Sequence, residues 1–160
     1  MSTVTSTPAR LDSWVAFLRS HSAITRQLNA DLLVAHGLTL NDYEVLLHLS
    51  RAERRMMRRV DLAQSVILTA SGITRLLDGL ERSGLVAKDS CATDARVSYA
   101  KLTESGLRKL REATVTHLQG VDELFTNRFT STELDSLAGL LGRLPLRGKD
   151  CAAGEPVCGA

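Results

Sequence analysis

Apolar residues recur at intervals of three and four positions along most of the chain, and this spacing predicts a mainly helical fold. The first such stretch extends from about Leu11 to Ala35, where the segment HGLTLND interrupts it. Gly37 is suited to end this helix, and Thr39 or Asn41 is suited to cap the next one, DYEVLLHLSRA. The run RAERRMMRRV then links to a short helix at Asp61 to Val66.

The stretch TASGITRLLDGLERSGLV, residues 69–86, predicts a helix with two different faces. At about 100° per residue its apolar side chains fall together: Ile73, Leu76, Leu77 and Leu80. The opposite face carries polar side chains: Ser71, Thr74, Arg75, Asp78 and Arg82. Gly72 and Gly79 lie at the border, and each costs the helix about 1 kcal/mol relative to alanine. We therefore expect another backbone to approach closely, either DNA or the preceding helix at Gly72 and protein at Gly79.

The pattern changes from residue 85 onward, where LVAKDS and ARVSYAKL are rich in β-branched and small residues. The turn-forming segment CATD separates them, so the pair predicts a β-hairpin. Thr103 then begins a second long helix, TESGLRKLREATVTHLQGVDELFTNRF. Thr130 stands three residues before Glu133 and forms a capping box for a last helix, which Pro145 ends.

Both chain ends are thus predicted to form long helices with apolar stripes. A helix of about 25 residues spans nearly 40 Å, which is longer than a domain of this size needs. We therefore expect a homodimer in which the first helix and the last two pack against their symmetry mates. The alternative is that these stripes only close the core of a monomer.

Charge is distributed unevenly along the chain. The net charge of all 160 residues is only +2, but residues 51–111 hold 13 Lys and Arg against seven Asp and Glu. The rest of the chain carries seven basic against 11 acidic residues. A basic block between acidic flanks favours contact with a polyanion such as nucleic acid, since that affinity grows with the number of phosphates neutralised. A chance fluctuation of surface charge is the alternative.

Several function classes are not supported by the residues. The apolar runs are far shorter than the roughly 18 residues that span a bilayer, and the N-terminus lacks a secretory pattern, so we expect a cytoplasmic protein. Cys91, Cys151 and Cys158 form no CxxC pair, which argues against a zinc site or a disulfide framework. No catalytic motif or phosphate-binding glycine loop occurs. We expect no enzyme activity, no metal and no cofactor.

The order of elements around residues 61–102 predicts a DNA-binding unit. A short helix, the turn ILT and a helix whose first turns expose hydroxyls and a guanidinium form a helix-turn-helix, and the hairpin makes it winged. The side chains suited to phosphates and base edges are Thr69, Ser71, Thr74 and Arg75. The hairpin tip TDAR places Arg96 where a narrow minor groove would attract it. Taken singly, each of these residues could simply be solvated.

The segment LTASGITRLLDGLERSGLVAKDSCATDARVSYAKLTESG resembles the signature of the multiple antibiotic resistance regulator (MarR) family of winged helix-turn-helix transcription factors. The resemblance covers about residues 11–145. It implies that the helix with the TR pair enters the major groove, that a wing arginine enters the minor groove, and that the end helices form the dimer. The DNA contacts that it implies are Thr69, Ser71, Thr74, Arg75 and Arg96, with Asp94 orienting an arginine. Gly72 is added as a candidate from its place on the border of the helix. The commoner wing tip has two arginines, and Ala95 replaces the first of them.

The run RAERRMMRRV includes four arginines just before the helix-turn-helix, Arg54, Arg55, Arg58 and Arg59. We expect one or two of them, with Arg58 and Arg59 as the candidates, to position phosphates. The resemblance further implies release from DNA by a small phenolic or other anionic effector, bound between the dimer helices and the winged block. The candidate pocket residues are Trp14, Phe17, His21 and Tyr43.

The expected fold is therefore mainly α with a small β-hairpin wing, a winged helix-turn-helix flanked by dimerisation helices. We divide the chain into a flexible N-terminus (1–10), one domain (11–145) and a disordered tail (146–160); within the domain, 11–36 and 103–145 form the dimerisation helices and 42–101 the winged unit. The expected function is a sequence-specific transcriptional regulator, a repressor that binds a palindromic operator as a homodimer. The alternatives are a redox-responsive regulator that acts through Cys91 and a winged-helix module that docks proteins without binding DNA.

Overall fold

The computed structural model describes residues 8–66, 70–90 and 98–144. Within these ranges the elements follow one another as α1 (Pro8–His36), α2 (Leu40–Arg51), a 3-10 turn (Glu53–Arg55), β1 (Met56–Arg58), α3 (Arg59–Ser65), α4 (Ala70–Arg82), β2 (Val86–Ser90), β3 (Ser98–Leu102), α5 (Glu104–Leu124), a second 3-10 turn (Thr126–Arg128) and α6 (Ser131–Leu141). The fold is mainly helical with one small sheet, as the sequence predicts. No helix in these ranges is long and apolar enough to cross a membrane.

The junction between α1 and α2 is built by the residues that the sequence predicts. Gly37 has φ +68°, and its N–H donates to the Leu33 carbonyl at 2.9 Å, which ends α1. Thr39 caps α2, because its hydroxyl accepts from the Asp42 N–H while the Asp42 carboxylate accepts from the Thr39 N–H. α1 begins at Pro8, so it includes residues 8–10, which the sequence analysis assigns to the N-terminal segment. Proline suits a first helical turn because its missing N–H has no helical acceptor there.

The three strands form one antiparallel sheet in which β3 lies between β1 and β2. Met57 pairs with Ala100 in one ladder, and Ala87 pairs with Lys101 in the other. The β2 and β3 strands of the predicted hairpin are confirmed. β1 was missed, since it lies inside the run that the sequence presents as a link. Three residues are too few to show a strand period, and pairing with β3 is what makes them a strand.

The core lies where α2, α3 and α4 pack against the sheet and α5. Its most completely buried large side chains are Leu32, Val45, Leu46, Leu49, Leu62 and Leu77. α4 buries Ile73, Leu77 and Leu80, the apolar face that the sequence predicts. Burial of each such side chain stabilises the fold by about 1.5 to 3 kcal/mol. This burial determines which side of α4 points outward.

The C-terminal helices begin at the predicted caps. The Thr103 hydroxyl accepts from the Gly106 N–H at 2.9 Å at the start of α5, and Thr130 and Glu133 form the capping box of α6. α5 ends at Leu124, five residues earlier than the pattern indicates, because Phe125 leaves the helical region at φ −133° and ψ −69°. The following 3-10 turn brings the rings of Phe125 and Phe129 to 5.5 Å.

The first half of α1 and one side of α6 carry apolar side chains that the described part of the chain does not cover. Trp14 and Leu11 are 55% and 54% exposed on α1, whereas Leu28 and Leu32 in its second half are buried. α6 has no buried side chain, and Leu140 is 54% exposed. With 29 residues, α1 is about 43 Å long, so its first half extends beyond the core of one chain.

Two glycines of the helices have different surroundings. A Cβ on Gly106 would overlap the Leu85 carbonyl oxygen and lie 2.7 Å from Leu102 Cδ1, so α5 can approach the turn after α4 only without a side chain there. A Cβ on Gly79 would meet nothing within 4 Å, so the expectation that this residue permits close protein packing was wrong.

This difference predicts opposite effects of alanine at the two positions. Gly79→Ala raises the free energy of unfolding by about 0.5 to 1 kcal/mol, because alanine restricts the unfolded chain and favours the helix. Gly106→Ala lowers it by about 1 to 3 kcal/mol, because the methyl group overpacks the contact with Leu85. Urea unfolding followed by circular dichroism measures both values. A loss of stability in both variants would contradict the open space at Gly79.

Candidate nucleic-acid interface

α4 presents the polar face that the sequence predicts, opposite its buried face. Ser71, Thr74 and Arg75 are exposed, and so are Asp78 and Arg82 one turn further on. The hydroxyls and the guanidinium therefore lie on the outer surface of the first turns of the helix. Such side chains can donate to phosphate oxygens and to base edges in a major groove. Thr69, which precedes α4 in the sequence, lies outside the described residues.

Arg58 and Asp61 form a paired contact at the start of α3. The Arg58 Nε donates to Asp61 Oδ2 at 2.7 Å, and its Nη2 donates to Oδ1 at 3.2 Å. The Arg58 side chain is still 39% exposed, so it can meet a further anion at the surface. Asp61 also neutralises the positive end of the helix dipole in the first turn of α3.

Arg59 joins the start of α3 to the end of α4. Its Nη2 donates to Glu81 Oε1, and its Nη1 lies 4.0 Å from Asp78 Oδ1. The Arg59 side chain is only 18% exposed, whereas a phosphate contact requires an accessible guanidinium. The geometry therefore favours a role in positioning α4. The sequence does not reveal this link, since the partners are 22 positions apart and lie on two different helices.

A third arginine of the run connects the 3-10 turn to α5. Arg55 Nη1 donates to Glu104 Oε1 at 2.6 Å, across 49 residues of sequence. Arg54 and Arg55 have φ values of 54° and 56°, a left-handed backbone that is strained in residues with a side chain. The chain continues from this turn directly into β1. The segment RAERRMMRRV therefore contains both a strand and an ion pair that links the winged unit to α5.

The wing is described only at its base. β2 reaches Ser90 and β3 starts at Ser98, with Lys101 Nζ 4.0 Å from Asp89 Oδ2 between the two strands. Lys88 is exposed on β2. The candidate wing residues Asp94 and Arg96, together with Cys91, lie outside the described residues.

The four candidate effector residues belong to two separate groups of stacked or packed rings. Trp14, Phe17 and His21 stack along the exposed half of α1, with successive ring centroids 6.1 and 6.4 Å apart. Tyr43 is buried and lies 4.5 Å from the His117 ring on α5. Burial lowers the pKa of His117, which favours a neutral ring against Tyr43. In the described ranges, no cluster of three or more His, Cys, Asp and Glu side chains is suited to a metal.

Comparisons with known proteins agree with this geometry. Residues 36–97 match the model of the MarR family. The chain is similar to AbsC, a MarR family transcriptional regulator from Streptomyces coelicolor, with 32% identity, 84% of this chain and 90% of that chain covered, and a TM-score of 0.79. It is also similar to Sco3205 from the same organism, a MarR family transcriptional regulator in complex with DNA, with 25% identity, 85% of each chain covered and a TM-score of 0.81. The HTH-type transcriptional regulator MhqR of Bacillus subtilis is 24% identical over 143 residues, which is 89% of this chain and 96% of that protein.

The contact between Arg59 and Glu81 predicts a stability loss that an exposed arginine would not cause. Arg59→Met lowers the free energy of unfolding by about 1 to 3 kcal/mol, less than the 3 to 5 kcal/mol of a fully buried pair because both partners keep some solvent contact. Arg51→Met, at an exposed arginine, is the matched control and changes it by less than about 0.5 kcal/mol. Urea unfolding measures both. Equal values for the two variants would show that the ion pair does not hold α4.

Proposed function

The chain belongs to the MarR family of transcriptional regulators, and on this premise we propose that it represses transcription by binding a palindromic operator as a homodimer, from which a small-molecule effector releases it. The single observation that carries the DNA-binding part is the division of α4 into a buried apolar face and an outward polar face. The DNA complex of Sco3205, a protein of the same fold, supports this assignment.

We assign the major-groove contacts to the first turns of α4. Arg75 is the candidate for the most specific contact, because a guanidinium can donate two parallel hydrogen bonds to a guanine edge. Ser71 and Thr74, with Thr69 before the helix, supply hydroxyls for phosphates or bases, and Gly72 leaves room for the backbone of DNA. The buried leucines hold these side chains on one rigid surface.

The remaining proposed contacts come from the wing and from the start of α3. Arg96 enters the minor groove from the wing, and Asp94 orients it. Arg58, which is partly exposed at the start of α3, contacts a phosphate, while Arg59 acts through Glu81 by holding α4 in place. The two arginines of one sequence pattern therefore receive different roles, because their exposure differs.

The homodimer is proposed from the uncovered apolar surfaces at both chain ends. The first half of α1 and the outer side of α6 expose Trp14, Phe17 and Leu140, which a second copy would bury. A two-fold dimer presents two copies of α4 related by the same axis, so its DNA site is a palindrome. A dimer bound across a promoter represses by occupying it.

The effector is proposed to bind where the partner's α1 would cover the winged unit. Trp14, Phe17 and His21 lie on the exposed half of α1, and Tyr43 lies on α2 against His117, so we propose that the partner's α1 brings its exposed rings towards α2. Such an aromatic crevice suits a small phenolic or anionic molecule. The ion pair between Arg55 and Glu104 links the two parts that such a ligand would separate.

DNA affinity tests the proposed interface directly. Arg75→Ala and Arg96→Ala each weaken binding to the operator by about 1 to 3 kcal/mol, since each removes a specific contact while the fold is kept. Arg111→Ala removes an equal charge from the exposed side of α5 and leaves the affinity nearly unchanged. Fluorescence anisotropy over a salt series measures both the affinity and its slope, which is steep for a DNA-binding dimer. A flat slope would favour a module that docks proteins.

Self-association tests the dimer. Leu140→Glu places a charge on an exposed apolar site, so it shifts the protein from dimer to monomer and weakens binding to a two-half-site operator without unfolding the chain. Asn41→Glu adds the same charge to an exposed position on α2 and leaves the dimer intact. Sedimentation velocity measures the oligomeric state. A Leu140→Glu protein that stays dimeric would remove α6 from the interface.

A further inference from the structure

The strand β1 is the shortest of the three described strands and lies at the edge of the sheet, with β3 as its neighbour. Met57 stands opposite Ala100 and packs against the core. The residue before it, Met56, is also a methionine, so a slip of β1 by one position would bring Met56 opposite Ala100 and keep a methionine against the core. Hydrophobic burial alone therefore distinguishes poorly between these two registers.

The charged residues beside the two methionines do distinguish the registers. Continuation of the observed ladder places Arg55 opposite Leu102, so that Glu104 is its diagonal neighbour. Arg55 Nη1 donates to Glu104 Oε1 at 2.6 Å. A slip of one residue, about 3.3 Å, would move Arg55 away from this carboxylate and opposite Lys101. Like charges directly opposite each other destabilise a strand pair, so the ion pair and the repulsion both favour the observed register.

Glu104 is held in place by its neighbours in the chain. The Thr103 N–H donates to the Leu85 carbonyl at 3.2 Å, and the Thr103 hydroxyl lies 2.7 Å from the Gly84 carbonyl, to which it can donate. Gly106 lies directly against Leu85, because no Cβ separates them. The start of α5 is therefore fixed to the turn after α4. Through Glu104, the ion pair relates the position of β1 to that of α4.

The turn before β1 has a strained backbone that a contact from outside the turn can hold. Arg54 and Arg55 follow one another with φ values of 54° and 56°, and residues with a side chain keep such a backbone only where surrounding contacts hold it. A hydrogen bond from the Arg55 N–H to the Ala52 carbonyl closes the turn at 3.0 Å. The ion pair to Glu104 links the turn to α5, across 49 residues of sequence.

The register of β1 bears on the placement of the wing. The proposed wing residue Arg96 precedes β3 by two positions in the sequence. β1 continues directly into α3, where Arg59 donates to Glu81 on α4. β1 thus joins the strand that follows Arg96 to both helices of the helix-turn-helix. A slip of one residue would displace β3 relative to α3 by about 3.3 Å, which is longer than a hydrogen bond.

We propose that the ion pair between Arg55 and Glu104 sets the register of β1 on β3 and thereby positions the wing for its contact with DNA. Both are positioning residues: they act through β3 and do not touch DNA themselves. The part of this proposal that concerns DNA rests on the proposed function, whereas the register of β1 does not.

Nuclear Overhauser effects between labelled Met and Ala methyl groups test the register in the full chain without DNA. The unaltered chain should show a contact between Met57 and Ala100. We expect Arg55→Ala and Glu104→Gln to weaken this contact and to introduce one between Met56 and Ala100, since the slipped register is no longer disfavoured. An undiminished contact of Met57 in both variants would overturn the role of the pair in the register.

The matched controls are Arg111→Ala and Glu112→Gln, which change the same charges at exposed positions of α5 and keep the contact of Met57. Thermal melting confirms that each variant is folded. Loss of the contact in the controls as well would show a general effect of charge and would equally overturn the specific pair.

Fluorescence anisotropy tests the part that concerns DNA, with a duplex that the unaltered chain selects from a random library. We expect Arg55→Ala and Glu104→Gln each to weaken binding about two- to fivefold, the range of a partly exposed ion pair. The double variant should lose no more than the weaker of the two, because both changes break the same contact. Arg111→Ala and Glu112→Gln should keep the affinity. Unchanged binding in both single variants would overturn the positioning role.

Combination with the proposed DNA contacts shows where the pair acts. In an Arg96→Ala background, Glu104→Gln should have no further effect, whereas in an Arg75→Ala background it should keep its full effect. An equal loss in both backgrounds would show that the pair does not act through the wing. If Arg96→Ala itself leaves the affinity unchanged, or the chain selects no duplex, the proposed function fails and the positioning role with it, while the methyl contacts still decide the register.

Discussion

The burial of one face of α4 is the interaction on which the rest of this protein depends. Ile73, Leu77 and Leu80 can leave water only when α4 lies on α3 and the sheet, and this orientation turns Ser71, Thr74 and Arg75 outward. A helix cannot rotate to offer a different set of side chains without exposing three large apolar groups, each worth about 1.5 to 3 kcal/mol. The surface that we propose for DNA binding is therefore a consequence of the hydrophobic core.

Ion pairs around the winged unit divide the basic residues into two groups. Arg55, Arg58 and Arg59 have carboxylate partners on α5, α3 and α4, whereas Arg75 is exposed at the first turns of α4. The paired arginines give the unit a defined geometry, because a planar guanidinium holds its partner in a fixed direction. Net charge alone would assign all of them to DNA. Exposure and partners separate those that shape the protein from those that can bind an anion.

The first long helix contributes both to the core of the chain and to the proposed dimer interface. α1 packs its second half on α5 through Leu28 and Leu32, and its first half extends past the core with Trp14 and Phe17 exposed. α5 begins at Glu104, which pairs with Arg55 next to β1, so one helix connects the packing surface of α1 to the winged unit.

The sequence by itself determined the features that depend on neighbouring residues. Periodicity located most helices and the hairpin, Thr39, Thr103 and Thr130 were recognisable as caps, and the two faces of α4 followed from helical geometry. Only the tertiary structure decided what depends on residues far apart in the chain. β1 exists through its pairing with β3, Arg59 was assigned by its contact with Glu81, and the empty space at Gly79 contrasts with the crowding at Gly106. Local spacing carries no information on such partners, because the packing of the whole core brings them together.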